Sequence, residues 1–102
     1  MPFEYSLPHA FTIQSIRAHA PSVSGVYGIS NSREWIYIGN SDNIQGTLLE
    51  HLAGLKLKRR EPTGFVYEVC GLHERTVRQC RLVLEYGPVC NRQPGGTPLD
   101  RA

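Results

Sequence analysis

The stretch GVYGISNSREWIYIG, Gly25 to Gly39, decides how this chain is read. Two runs rich in β-branched and aromatic residues flank the polar break NSRE. Such runs favour strands, and a four-residue polar break between them makes a β-hairpin. Strict alternation along the second run puts Trp35 and Tyr37 on one face and Ile36 and Ile38 on the other. Each run also sets a tyrosine beside a glycine. The hairpin is therefore either a pair of packed strands, with the tyrosines as cross-strand partners, or one wall of a site.

Upstream, FTIQSIRAHA predicts a short helix with Ile13, Ile16 and Ala20 on one side, ended by Pro21. Downstream, Ser41, Asp42 and Asn43 are all good N-caps for an amphipathic helix carrying Ile44, Leu48, Leu52 and Leu55 and ending near Gly54. Gly46 inside that helix costs up to ~1 kcal/mol against alanine. A basic loop with Pro62 leads to GFVYEV, a third strand broken by Gly71. HERTVRQCRLVLEY is then a second amphipathic helix. Its stripe reads as Val77, Cys80 and Leu84 with Val83 beside it, and Gly87 and Pro88 stop it. The order predicts a small α+β domain, a three-stranded antiparallel sheet flanked by helices. Residues 1–24 form a lead-in, 25–91 the domain, and 92–102 a tail with little to bury, expected to be mobile.

A length of 102 residues fits one domain. The net charge of +2 is mildly basic, well short of what a dedicated nucleic-acid binder carries. The positive charge clusters in KLKRR, as Lys56, Lys58, Arg59 and Arg60. That run serves either as a solvated loop or as a phosphate contact. Cys70, Cys80 and Cys90 lie ten apart, a spacing that suits thiols in a reducing compartment rather than a zinc site. With neither a membrane-length apolar run nor a basic-then-apolar leader, the chain is expected to be cytoplasmic and off the membrane.

These residues together resemble the GIY-YIG nuclease superfamily. The first motif is Gly25-Val26-Tyr27, with valine in the isoleucine position, and the second is Tyr37-Ile38-Gly39. Nine residues separate the tyrosines. Asn43-Ile44 matches the family's asparagine–aliphatic pair, His51 a histidine often seen on the following helix, and Pro88 to Asn91 the closing Pro-x-x-Asn. The resemblance implies that Tyr27, Tyr37 and His51 occupy catalytic positions of a fold that hydrolyses phosphodiesters with one divalent metal.

The rest of the family's inventory is replaced. Its lysine position is Asn40, its helix arginine position is Thr47, and its metal-binding glutamate position is Gln79. Threonine offers no bidentate fork to a phosphate. A neutral amide is a poor sole protein anchor for Mg²⁺. A tyrosine titrating near 10 is a weak base without a cation beside it. Other residues open to a relocated site are His51, Arg33 in the hairpin turn, Glu68 in the third strand and Glu74 early in the second helix. Each also has an ordinary structural reading: a boundary histidine, a solvated turn arginine, and for Glu74 a helix-start charge favoured by the dipole.

The leading expectation is a catalytically inactive domain, a pseudoenzyme that binds DNA without a metal or other cofactor. The alternatives are an atypical endonuclease using Mg²⁺ or Mn²⁺ at a rebuilt site, and a protein-interaction module.

Overall fold

The hairpin forms where its sequence predicts. The computed structural model describes residues 8–54 and 60–88. Its elements run β1 (His9–Ala10), α1 (Ile13–His19), β2 (Gly25–Ser30), β3 (Trp35–Ser41), α2 (Ile44–Ala53), β4 (Gly64–Val69) and α3 (Arg75–Tyr86). The sheet is antiparallel in the order β1-β4-β2-β3. Every residue of β2, at its centre, is buried.

The helix boundaries follow from their caps. The Thr12 hydroxyl accepts from the Ser15 N–H at 3.2 Å. Of the three candidate caps for α2, Asn43 takes the role, its Oδ1 accepting from the Gly46 N–H at 3.0 Å. Gly87 ends α3 with φ 59, a left-handed turn that glycine adopts without strain.

Apolar side chains pack on both faces of the sheet. On the face covered by α1 and α2, Tyr27, Ile29 and Phe65 meet Phe11, Ile16, Ala20, Ile44 and Leu48. On the other, Val26, Ile38 and Val66 meet Leu82 of α3, with Trp35, Val83 and Tyr86 alongside.

Three expectations need correction. The sheet has four strands, not three, because His9 and Ala10 pair with Phe65 and Gly64. Two residues are too few to carry an alternation that a sequence could betray. The stripe assigned to α3 is also wrong: Val77 is 56% exposed, Leu84 is 85% exposed, and Cys80 is exposed as well. The face against the sheet instead carries Gln79, Leu82, Val83 and Tyr86, at helical spacing but opened by a polar residue. Finally, the faces of β3 do not alternate strictly. Ile29 pairs with Tyr37 and Ser30 with Trp35, leaving Ile36 as the extra residue of a bulge. Ile36 and Tyr37 therefore pack toward α1 and α2, and Ile38 and Trp35 toward α3.

Leu55, Lys56, Lys58, Arg59, Cys90, Asn91 and the tail lie outside the described residues.

Candidate active site

The two motif glycines are explained by close approach. A Cβ on Gly25 would overlap the Glu68 carbonyl oxygen of β4 and press on Ile44. A Cβ on Gly39 would sit 2.5 Å from the Tyr27 hydroxyl oxygen. Gly39 is thus the recess that lets Tyr27 cross from β2 under β3.

Tyr27 lies in that recess with 2% of its surface exposed, and its hydroxyl is 2.8 Å from His51 Nε2. Tyr37 completes a three-ring cluster, its centroid 6.1 Å from Tyr27 and 5.3 Å from His51. The structure therefore brings Tyr27, Tyr37 and His51 together. Burial pushes the Tyr27 hydroxyl well above its ordinary pKa, and Tyr37 and Glu50 push it further in the same direction. A phenol so placed keeps its proton at neutral pH.

The substituted positions are equally well placed. Thr47 on α2 shares a hydrogen bond with Ser41 at the end of β3, 2.5 Å between the hydroxyl oxygens. Ser41 Oγ also accepts from the Asn43 N–H at 2.9 Å, so the pair closes the turn into α2. Asn40 and Gln79 hold each other, the Asn40 amide donating to Gln79 Oε1. Gln79 Nε2 in turn donates to the Ile38 carbonyl at 3.1 Å. Asn40 and Gln79, read by resemblance as the lysine and glutamate positions, thus form one amide–amide pair that ties α3 to β3. Nothing in the spacing of the sequence foretold that contact.

The carboxylates nearby have other partners. Glu68 receives a bidentate pair from Arg78, 2.7 Å from Nε and 2.8 Å from the second nitrogen. Glu74 accepts from the Gly71 N–H at 3.1 Å, closing the turn that precedes α3. Among the described residues no three His, Cys, Asp or Glu side chains converge as a metal site. Gln79, read by resemblance as the metal-binding glutamate position, is a neutral amide with both ends engaged, a poor anchor for a divalent cation.

Arg33 and Arg60 lie elsewhere, at the far end of the hairpin. The Arg33 N–H donates to Asn31 Oδ1 at 2.8 Å within the turn. Arg60 lies across from it, its guanidinium 3.8 Å from Glu34 and its carbonyl accepting from the Asn31 amide.

Between β3 and α3 runs a groove of about 740 Å³ whose described walls include Tyr37, Asn40, Gln79, Cys80, Val83 and Leu84. Among the described residues, every lining side chain is uncharged. The stripe expected on α3 hid this groove because it turned Leu84 toward the core.

No protein-family model and no curated protein matches the sequence. Solved structures do. The magnesium-bound GIY-YIG N-terminal endonuclease domain of UvrC from Thermotoga maritima superposes with a TM-score of 0.66 at 25% identity, covering 78% of this chain and 96% of that one. A point mutant of the same domain, also bound to its catalytic divalent cation, gives 0.64 at 26% identity over 76% and 96%. A second gives 0.67 at 24% identity over 79% and 96%. The hairpin motifs, the antiparallel sheet with its helices and these superpositions together give the chain the fold of the GIY-YIG endonuclease domains.

Proposed function

We propose that this domain binds DNA without hydrolysing it. The observation that carries the first half of the reading is the Asn40–Gln79 pair, a neutral bridge where a GIY-YIG nuclease needs a cation and a metal ligand. Hydrolysis of a phosphodiester requires charge stabilisation on the phosphate and at the leaving oxygen. Neither Asn40, Thr47 nor Gln79 supplies charge, and Tyr27 is buried with its proton retained. The second half draws on the fold, on the net charge of +2 and on the basic residues at the hairpin end. Arg33 and Arg60, with Lys56, Lys58 and Arg59 between them in sequence, are the residues expected to hold the backbone.

A rebuilt nuclease site is the second reading, and the Tyr27–His51 contact is what favours it. A plasmid-nicking assay with Mg²⁺ and Mn²⁺ separates the two. Wild type is expected to leave the plasmid intact, whereas the Asn40→Lys/Thr47→Arg/Gln79→Glu variant, which restores the missing charges, is expected to nick it. Nicking by wild type that Tyr27→Phe abolishes would overturn the inactive reading. Binding is read in parallel by titrating duplex DNA at two salt concentrations. A steep loss of affinity with salt supports phosphate contacts, and no binding at low salt would leave a protein-interaction module.

A further inference from the structure

We infer that the groove between β3 and α3 is a pocket for an uncharged nucleobase, a reading that rests on the DNA-binding function proposed above and assigns its cleft. A phosphate seated here would give up water and meet no cation among the described residues, none of whose lining side chains is charged. The groove therefore rejects the backbone of a strand and suits its bases.

The chemistry of the walls matches that part of a nucleotide. Tyr37 offers an aromatic edge on the β3 side. Val83 and Leu84 offer an aliphatic surface on the α3 side, and Leu84 is 85% exposed, an apolar side chain that the core does not use. The floor between them is the Asn40–Gln79 pair. Its internal bonds use one N–H of Asn40, the carbonyl of Gln79 and one N–H of Gln79. A carboxamide carries two N–H donors and a carbonyl acceptor, so the pair has further donor and acceptor capacity to turn toward a ligand. Paired donor and acceptor on a side-chain amide are what read the edge of a base, and bases stack on aromatic and apolar side chains whatever their sequence. A volume of about 740 Å³ lies within the range of sites that hold small ligands.

The base would come either from an unpaired position in a strand or from a free nucleoside, and the test has an arm for each. A short single-stranded DNA and an abasic strand of equal length carry the same phosphates and differ only in bases. Fluorescence anisotropy at low salt is expected to show the base-bearing strand binding about tenfold more tightly, in line with the stacking of one base. Cys80→Trp, which fills the groove from an exposed position, and Leu84→Glu, which charges its rim, are expected to erase that ratio while leaving binding of the abasic strand unchanged. Equal affinity for both strands, indifferent to the two variants, would overturn the pocket and leave the DNA-binding reading standing. Failure of both strands to bind would overturn that reading instead. In that case titration with free nucleosides decides the pocket: shifts of the Asn40 and Gln79 side-chain amide resonances sustain it, and their absence overturns it.

Discussion

Tyr27 and His51 meet at the boundary of sheet and helix, hydroxyl oxygen to Nε2 at 2.8 Å, with the tyrosine 2% exposed. In a buried setting that contact ties α2 to the central strand. Tyr27→Phe removes it without removing volume. The variant is expected to lose about 1–2 kcal/mol in urea denaturation, the cost of a missing hydrogen bond that leaves a polar partner behind.

Gly39 and Tyr27 are expected to be energetically coupled. A methyl group on Gly39 would lie 2.5 Å from the Tyr27 hydroxyl oxygen and 2.7 Å from the ring carbon that bears it. Gly39→Ala is expected to cost about 1–3 kcal/mol through overpacking. Because part of the overlap is with the hydroxyl itself, Tyr27→Phe should soften that cost. A double-mutant cycle measured by denaturation checks this, and strictly additive costs would refute it.

Stability is expected to depend on pH through His9. It stacks on His19 with ring centroids 4.2 Å apart and lies beside Phe65. Burial lowers its pKa from 6.5, and the neighbouring His19 lowers it further. The unfolded chain then binds more protons than the folded one between the folded pKa and 6.5. The contribution is fully present above 6.5 and is lost as pH falls from there toward the folded value. Urea midpoints measured between pH 7.5 and 5 should fall accordingly, and His9→Gln should flatten the profile in that window.

The face that α3 turns to the sheet is open to a direct comparison. Leu82 is fully buried and Leu84 is 85% exposed, two residues apart on one helix. Leu82→Ala is expected to cost about 2–5 kcal/mol, as for other large-to-small changes in a core. Leu84→Ala should change stability by no more than about 0.5 kcal/mol.

These contrasts mark how far the sequence could be read. The hairpin, the Asn43 cap, the third strand and the Gly87 stop carry local signals, and each appears where its signal lies. The pairing of His9 and Ala10 with β4 is purely tertiary. The bulge at Ile36 shifts a register that alternation assumes to be regular. On α3 a buried stripe containing Gln79 looks broken, so the exposed Val77, Cys80 and Leu84 offered a cleaner but false period. In the candidate site, Tyr27, Tyr37 and His51, singled out by resemblance, lie together, and the uncharged residues Asn40, Thr47 and Gln79 were visible in the sequence as such. What no spacing conveys is that two of those replacements, 39 residues apart, bond to each other.

Gln79 reaches the Ile38 carbonyl on one outer strand of the sheet, and His9 with Ala10 runs along the other. The first bond occupies a main-chain carbonyl on the β3 edge, and β1 is only two residues long, so each margin offers a second chain little to pair with. The Asn40–Gln79 bridge is therefore expected to hinder self-association as well. Gln79→Ala should therefore show itself as light scattering in concentrated samples, as well as in any altered affinity for a ligand.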